Sequence, residues 1–415
     1  MKAPHPPPLP GLPSDEVAPP NSTRDETNQA FPAATRDSDG ESRQGGAVVG
    51  KPLAERLRER VRLGGPVTFR DWMSAALYDE REGYYRRPGS PRWGRPGDYR
   101  TSPERSPLFA AAFARYFAGL FDELGCPRPF HLVEAGGGAG AFALGVLRTL
   151  ERDHPRAFNS LEYVFAEESD DARGQAARLL APYRGSVRFA PLGALAGRLD
   201  AAIIFSNELL DALPVHRVLM RDGLLRELLV GLDEGGRFRW VESGPSTPRL
   251  AEHFERLGIT LLEGHAAEVN LEVEEWLGLA ARAAGRGFVV SVDYGDEAEQ
   301  LYRSPARREG TLRAFRRHVL AEDVLADPGA QDITATVNWT QVVAAGERMG
   351  LRRVALERQD SFLLRAGLLE QLERECARAE GAAEVAALRL GAREMVLPGG
   401  MASSFQVLVQ RRDGG

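Results

Sequence analysis

From residue 129 the chain alternates between short apolar runs and amphipathic segments. The apolar runs "FHLVEA", "LEYVFAEE", "SVRFAPL", "AAIIFSNE" and "GFVVSVDYG" are predicted strands, and "AFALGVLRTLERD", "DDARGQAARLLAPY" and "LEVEEWLGLAARAAG" are predicted helices. Alternation at this spacing is typical of parallel βαβ units. Further on, "TQVVAAGERMGLRRVALER" and "SSFQVLVQR" predict one more helix and two strands. The pattern therefore predicts an α/β fold built on a parallel sheet.

Before residue 129 the pattern is helical. "PLAERLRERVRLGG" and "TFRDWMSAALYD" have the spacing of amphipathic helices, and Thr68 is positioned to cap the second. A long loop with little apolar periodicity follows. Its end carries a helix-start signal, with Ser102 as the cap and Pro103 at the first helical position, before "LFAAAFARYFAGLFDEL". We expect a helical N-terminal segment with a long loop.

Two stretches interrupt the alternation. Residues 215–245 contain apolar runs around Asp222-Gly223 and Gly235-Gly236, which predict an inserted antiparallel ribbon. Residues 296–338 are long and polar, which predicts a lid-like surface excursion. We therefore divide the chain into a tail (1–50), an N-terminal helical segment with a pocket loop (51–128), and a main domain (129–415) with insertions near 215–265 and 296–338.

Composition separates the first 50 residues from the rest. They are rich in Pro, Ser, Asp and Gly and poor in large aliphatic residues, so they cannot bury enough surface to offset the entropy of ordering. We interpret them as a disordered, passive tail, with a proline-rich docking segment as the alternative. They lack the apolar core of a signal peptide, and their acidic residues are atypical of a mitochondrial transit peptide.

Charge and cysteine content narrow the class of protein. The net charge of −6 and the pI near 5.8 argue against a general nucleic-acid binder. The two cysteines form no metal-binding motif, which favours a reducing compartment. No apolar run has the length of a membrane span, so we expect no membrane insertion. A cytoplasmic location is the prediction; the composition leaves the oligomeric state open.

A glycine-rich turn follows the first predicted strand of the main domain. "VEAGGGAGAF" places Glu134 at the end of the strand and Gly136, Gly138 and Gly140 before a helix. Glycines allow a sharp turn and a close approach of a ligand to the backbone. A dinucleotide fingerprint would read G-x-G-x-x-G. The E-x-G-x-G-x-G spacing found here instead resembles the turn of Rossmann-like S-adenosylmethionine (SAM) methyltransferases, and a purely structural turn is the alternative.

Acidic and amide side chains end the next predicted strands. Glu167 and Glu168 follow "YVFA", and Glu167 is the better candidate to bind ribose hydroxyls because it directly follows the apolar run. "SNELLD" places Asn207, Glu208 and Asp211 after the fourth strand, at the sheet edge where α/β proteins bind ligands. These three side chains are expected to border the transferring methyl group. Capping of a following helix is the alternative for Asn207 and Asp211.

Several ordered segments together resemble the MidA-like family of SAM-dependent methyltransferases, over roughly residues 55–410. The segments are "EGYY" (82–85), "GDYRTSPE" (97–104), "NELLDALPVHR", "VDYG" (292–295), "GTLRAF" (310–315) and "DPGAQDITATVNW" (327–339). The resemblance implies a Rossmann-like, seven-stranded sheet. Mitochondrial members of the family assist the assembly of respiratory complex I. They are protein arginine methyltransferases that symmetrically dimethylate an arginine of a large peripheral-arm subunit of that complex.

The resemblance also implies roles for individual residues. Gly136, Gly138, Gly140 and Glu167 would bind SAM, and Glu208 and Asp211 would face the acceptor. A further group would border the pocket from the N-terminal side: Asp98, Thr101, Ser102 and Pro103. The expected partner is a protein substrate, with a complex I-type NADH dehydrogenase subunit as the candidate.

The chain departs from the family at two places. The family turn usually reads G-P-G-x-G with a polar or basic residue before the last glycine, whereas this chain has Gly137 and Ala139 there. The family's proline after the position of Asn270 is also missing. Two other functions therefore stay open beside a protein arginine methyltransferase: a SAM-binding assembly factor without catalysis, and a small-molecule methyltransferase.

Overall fold

The computed structural model describes residues 51–87, 106–316, 319–397 and 404–414. Seven helices within these ranges follow the predicted amphipathic segments, and six more were not predicted, three of them near the end of the chain. In chain order they are α1 (Leu53–Gly64), α2 (Phe69–Tyr78), α3 (Pro107–Glu123), α4 (Ala141–Asp153), α5 (Pro155–Phe158), α6 (Asp170–Leu179), α7 (Arg249–Leu257), α8 (Glu272–Ala283), α9 (Ala298–Arg303), α10 (Trp339–Arg348), α11 (Gln359–Arg365), α12 (Leu368–Arg378) and α13 (Ala382–Val396).

Strands in the same ranges form three sheets. They are β1 (Val67–Thr68), β2 (Phe130–Ala135), β3 (Leu161–Ala166), β4 (Val187–Phe189), β5 (Leu199–Asn207), β6 (His216–Arg221), β7 (Leu224–Leu232), β8 (Phe238–Ser243), β9 (Ala266–Val269), β10 (Ala284–Asp296), β11 (Arg313–Arg316), β12 (Val319–Leu320), β13 (Asp332–Thr334), β14 (Val337–Asn338), β15 (Arg352–Arg358) and β16 (Phe405–Arg412).

The main sheet has the strand order β4-β3-β2-β5-β10-β16-β15, and the short β14 pairs with the end of β10. Strands β2, β3, β4, β5 and β10 are mutually parallel, whereas β16 lies antiparallel between β10 and β15. The order reverses beside β2, so β2 and β5 lie on either side of the switch point where α/β sheets bind ligands. The Rossmann-like α/β fold predicted from the sequence is confirmed.

Two apolar clusters cover the faces of this sheet. Alternate residues of β5 divide between them: Ile203 and Phe205 pack with α3 and α4, whereas Ala202 and Ile204 pack with α8 and α10. Because successive strand residues point to opposite faces, a strand buried on both sides needs the continuous apolar run seen in the sequence. Helices α11–α13, which the periodicity analysis did not assign, pack on the α3 side.

The stretch predicted as an inserted ribbon is part of a larger antiparallel sheet. Strands β6, β7 and β8 pair consecutively, and β9 adds to β6 while β1 adds to β7. Asp222 and Gly223 have φ values of 53° and 70°, as a tight hairpin turn between β6 and β7 requires. The two-residue β1 brings the N-terminal segment into this sheet through the pairs Val67–Val230 and Thr68–Leu229.

The excursion after β10 packs onto the N-terminal helices. Strands β11, β12 and β13 form a small antiparallel sheet, and β13 is buried along its length. Ile333 and Leu325 lie in one cluster with Phe69, Trp72 and Met73 of α2. The excursion is thereby anchored beside α2, close to the carboxyl ends of the main strands.

Two predicted helix starts have different outcomes. The Thr68 hydroxyl accepts the Asp71 N–H at 3.1 Å, so the predicted cap of α2 is confirmed. The start of α3 lies further along the chain than predicted: Ser106 caps the helix and Pro107 occupies its first turn. A serine followed by a proline occurs at both places, and the signal alone could not choose between them. Ser102 and Pro103 lie outside the described residues.

Candidate active site

The glycine turn joins β2 to α4 at the switch point of the sheet. Gly136, Gly138 and Gly140 have φ values of 69°, 55° and 88°. Residues with a side chain adopt this region at a cost of about 1–2 kcal/mol. The Gly136 N–H donates to the Ala166 carbonyl at 2.9 Å, which ties the turn to the end of β3. The alternation of glycines found in the sequence therefore corresponds to a backbone that only glycine adopts without strain.

Gly137 is a glycine for a different reason. Its φ lies outside the left-handed region, but a Cβ there would lie 2.5 Å from ring carbons of Phe165 and 2.9 Å from Cδ of Glu134. The proline of the family turn cannot occupy this position while Phe165 keeps its place. The departure from the family pattern follows from the size of a neighbouring ring.

Two carboxyl groups flank the turn, one of them buried and the other half-buried. The Tyr163 hydroxyl donates to Oε2 of Glu134 at 2.7 Å, and burial raises the pKa of Glu134 to about 8 despite this bond. Glu167 accepts the Gly138 N–H at 3.0 Å and the Ser169 N–H at 2.8 Å. Burial also raises the pKa of Glu167. The acid predicted to bind ribose is thus held against the turn by backbone amides.

Glu168, the acid weighed against Glu167, has a different environment. Its side chain is 77% exposed and pairs with the Arg86 guanidinium at 2.8 Å. It belongs to the rim of the site, whereas Glu167 lies inside.

The end of β5 brings Asn207 and Glu208 to the same place. Asn207 Nδ2 donates to Glu208 Oε1 at 3.0 Å. Within the described residues, Asn207 Oδ1 is buried without a hydrogen-bond partner, which leaves an acceptor for a ligand. Glu208 has a φ of 51°, and its N–H donates to the Val292 carbonyl at 2.9 Å. A glutamate in the left-handed region is strained, and such strain concentrates at functional sites.

Asp211 does not border the site as predicted. Its side chain is 3% exposed, accepts a hydrogen bond from the Tyr294 hydroxyl, and is absent from the cavity wall. Burial raises its pKa to about 6. The chain runs from β5 to β6 without a helix, so neither Asn207 nor Asp211 caps one there. Asp211 points inward because the loop turns back towards β10 after Leu210.

Asp293 at the end of β10 fixes this loop. Its Oδ2 accepts the N–H groups of Leu210 and Asp211 at 2.9 and 3.2 Å. It is fully buried, and its pKa is raised by burial first and then by the charges of Asp211 and Glu208. The segment "VDYG" contributes to the family resemblance, but the sequence predicted no role for its aspartate. Hydrophobic periodicity does not distinguish a carboxylate that binds main-chain amides.

These elements enclose a cavity of about 420 Å³, which lies within the range of about 300–1,000 Å³ of small-molecule sites. The predicted residues that line it are Glu134, Gly136, Gly138, Glu167, Asn207 and Glu208. Gly140 does not line it, although its left-handed backbone starts α4. Asp98, Thr101, Ser102 and Pro103 lie outside the described residues.

Among the described residues, the acidic and basic side chains that line the cavity are all glutamates. They are Glu134, Glu167, Glu168, Glu208 and Glu272. Each of the five has a partner: Tyr163 for Glu134, backbone amides for Glu167, Arg86 for Glu168, Arg70 for Glu272 and Asn207 for Glu208. The cavity therefore favours cationic ligands.

The sequence analysis missed part of the wall. Tyr78 of α2, Tyr85 of the following loop, and Trp276 of α8 all line the cavity. The segment "EGYY" contributes to the family resemblance, but the sequence analysis assigned no role to its tyrosines, Tyr84 and Tyr85. Trp276 lies on the apolar face of a helix, where a core residue and a cavity-lining residue have the same spacing.

Two further observations concern the described part of the chain. None of its helices combines the length and the apolar character that a membrane crossing requires. Its His, Cys, Asp and Glu side chains form no group of three or more with an arrangement suited to a metal ion.

The fold and the site define a class of protein: a Rossmann-like enzyme with a glycine cradle and an acidic cavity at the switch point of its sheet. Comparison with known proteins gives the family. The chain belongs to a family of S-adenosyl-L-methionine-dependent methyltransferases, which it matches over residues 112–356.

Named relatives agree with this family. The chain is 29% identical over 322 residues to "Protein arginine methyltransferase NDUFAF7 homolog, mitochondrial" of Drosophila melanogaster, covering 72% of this chain and 70% of the relative. It is 25% identical over 343 residues to "Protein arginine methyltransferase NDUFAF7, mitochondrial" of Homo sapiens, covering 76% and 74%.

A solved structure supports the cofactor. A protein of Burkholderia thailandensis, crystallised with S-adenosyl-homocysteine, has a TM-score of 0.77 and 27% identity, covering 88% of this chain and 92% of that one. SAM is the cofactor of this protein. The site fits it, because the positive-φ glycines leave the turn without side chains and acidic residues line the cavity that must accept a sulfonium cation.

Proposed function

We propose that this methyltransferase transfers its methyl group to an arginine of a protein substrate. The observation that carries the proposal is that the acidic and basic side chains lining the described cavity are all glutamates, with Glu208 held at the end of β5 beside Asn207. A guanidinium is a planar cation whose donors match a carboxylate. The arginine methyltransferase names of the relatives support the same acceptor.

When bound, SAM supplies a methyl group on a sulfonium sulfur. A guanidinium nitrogen forms the new bond to that carbon as the carbon–sulfur bond breaks, and the nitrogen then loses a proton. In this proposal Glu208 accepts hydrogen bonds from the guanidinium and aligns the attacking nitrogen. The free lone pairs of Asn207 Oδ1 accept another. Alignment of this kind can supply much of the rate of a displacement.

We further propose a complex I-type subunit as the protein substrate and the cytoplasm as the location. The support for the subunit is the family resemblance of the segments around Glu208. The named relatives are mitochondrial proteins. The cytoplasmic location rests on the composition of the chain.

Mass spectrometry of a lysate incubated with the purified protein and isotopically labelled SAM tests the acceptor. Label on a protein arginine is the expected result, and the modified peptide identifies the substrate. Label in small metabolites alone would instead establish a small-molecule methyltransferase. Calorimetric binding of SAM with no label in any fraction would establish a SAM-binding protein without transfer activity.

A further inference from the structure

Two tyrosines form an aromatic pair in the wall of the cavity. The rings of Tyr78 and Tyr85 are stacked, with centroids 5.6 Å apart and planes inclined by 27°. Both residues are half-buried and line the cavity. The buried Tyr84 packs edge-on against Tyr85, with centroids 5.1 Å apart. The pair comes from α2 and its following loop, outside the main sheet.

Both hydroxyl groups are bound to the protein. The Tyr78 hydroxyl donates to the Ala212 carbonyl at 2.9 Å, and the Tyr85 hydroxyl donates to Asp332 Oδ1 at 2.6 Å. Burial raises the pKa of Tyr78, and the charges of Asp211 and Asp332 raise it further, so this phenol stays neutral. With their hydroxyls held in this way, the two residues present rigid ring carbons to the cavity.

The surroundings of the pair favour a cation. The carboxyl groups that act on Tyr78 are those of Asp211, Asp332, Glu167 and Glu168. Aromatic ring faces attract cations, and a guanidinium also stacks on them through its own plane. Ala212, which accepts from Tyr78, belongs to the same loop as Glu208. The pair is therefore linked to the loop that carries Glu208.

We propose that Tyr78 and Tyr85 form an aromatic wall that binds the guanidinium of the acceptor arginine and selects it against other nucleophiles. This inference rests on the proposed function, because it assumes an arginine acceptor. Glu208 would supply the hydrogen-bonding edge of the same site. The tyrosine rings would contact the flat face of the guanidinium. Because their hydroxyls are already fixed, the rings would lose little entropy on binding.

The test measures binding of Nα-acetyl-L-arginine amide to the full chain saturated with S-adenosyl-homocysteine, by NMR titration. The variants are Tyr78→Leu and Tyr85→Leu, which remove the ring, and Tyr78→Phe and Tyr85→Phe, which keep it. Tyr183→Leu is the matched control, because Tyr183 donates its hydroxyl to Glu151 at 2.8 Å and does not line the cavity. Melting curves and the affinity for S-adenosyl-homocysteine are measured for each protein.

We expect each leucine variant to bind the arginine probe about tenfold more weakly. The phenylalanine variants and the control should bind it within a few-fold of the wild-type protein, and all should keep their affinity for S-adenosyl-homocysteine. Nα-acetyl-citrulline amide, which has the same shape without the charge, should not bind. Rescue by phenylalanine separates a role of the ring from a merely structural role.

Three results would overturn the wall. If the folded leucine variants bind the probe as well as the wild-type protein does, the aromatic wall is excluded. The proposed function would survive this result, provided that the wild-type protein methylates arginine. Loss of S-adenosyl-homocysteine affinity with a native melting curve would assign the tyrosines to the cofactor. Failure of the wild-type protein both to bind the probe and to label any arginine would remove the proposed function, and the wall with it.

Discussion

Glu208 combines backbone strain with an acidic side chain at the cavity. Non-glycine residues with a left-handed φ in the described chain are Cys126, Glu208, Asp222 and Asp327, and among them Glu208 lines the cavity. Asp222 belongs to a hairpin turn, where this conformation is required. No hairpin turn explains the left-handed φ of Glu208. A glycine at this position would adopt the same φ without strain. The strain therefore supports the proposed role of this side chain at the acceptor.

Replacing Glu208 with glutamine keeps the volume and removes the charge. The loss of a charge-assisted bond, about 1.5–3 kcal/mol, should lower the rate of methyl transfer by roughly 10- to 100-fold. SAM affinity should stay within a few-fold. Single-turnover transfer and SAM titration of one purified variant measure both quantities, with Glu234→Gln in the exposed β7–β8 turn as the control. Normal transfer would exclude an acceptor role, and lost SAM binding with a native melting curve would place Glu208 in the cofactor site.

Glu134 should make stability depend on pH. Its folded pKa of about 8 lies above the ordinary value, so between about pH 4.5 and pH 8 the folded state keeps a proton that the unfolded state loses. Its contribution therefore falls as pH rises through this window and is constant above it. Glu134→Gln keeps an acceptor for the Tyr163 hydroxyl and has no such dependence.

Melting temperatures of the wild-type protein and Glu134→Gln, measured from pH 5 to pH 9, test this. The variant should gain stability relative to the wild-type protein as pH rises to 8, on the order of a few kcal/mol. Parallel curves would mean that Glu134 is ionised in the folded protein.

At the scale of elements, the site consists of loops at the carboxyl ends of strands, and each loop is hydrogen-bonded to an adjacent strand. The turn after β2 is tied to β3 through Ala166, and the loop after β5 is tied to β10 through Asp293. The two also touch each other, because a Cβ on Gly136 would lie 2.9 Å from Leu209. The glycine turn and the loop after β5 are thus in direct contact.

The glycine turn gives a prediction at this scale. Gly138→Val introduces a branched side chain at a φ of 55° and should disturb the N–H that Glu167 accepts. The fold should largely survive, and the micromolar SAM affinity expected for a cofactor should be lost. Calorimetry and melting curves measure the two effects. Gly185→Val is the control, since a Cβ there meets nothing within 4 Å. Unchanged SAM affinity in a folded Gly138→Val protein would place the cofactor elsewhere.

Sequence and structure agree where one local pattern determines an element. The parallel strands, the glycine turn and the cap at Thr68 follow from periodicity and from single residues with one physical role. The pairing of Val67 with Val230 does not, because a two-residue strand has no periodicity and its partner is distant in the chain. Asp211 was assigned to the site from its spacing, but a spacing does not specify which way a non-helical loop turns.

At the scale of the whole molecule, the N-terminal segment serves the site by covering it. Tyr78 and Tyr85 reach the cavity because α2 packs against the antiparallel sheet and the excursion. The aromatic wall therefore comes from a part of the chain outside the alternating strands and helices that predict the fold. The glycine turn could be predicted from the sequence, whereas the tyrosine part of the cavity wall depends on tertiary packing.

The first 46 residues should be dispensable for the folded part. Their composition offers no core. A chain that starts at Gly50 should keep the melting temperature and the SAM affinity of the full chain. Thermal unfolding and calorimetry of the two proteins measure this directly. A large decrease in either quantity would show that the tail docks on the rest of the protein.

The position of β16 has a consequence for synthesis. This strand follows all the other strands of its sheet along the chain, yet it lies between β10 and β15. While the ribosome is still producing it, β10 and β15 each lack a neighbour and expose unpaired main-chain groups, which other chains can join. The sheet is completed only after that late segment has emerged. A nascent chain interrupted before residue 405 would therefore be a substrate for chaperones, even though every cavity-lining residue had already been made.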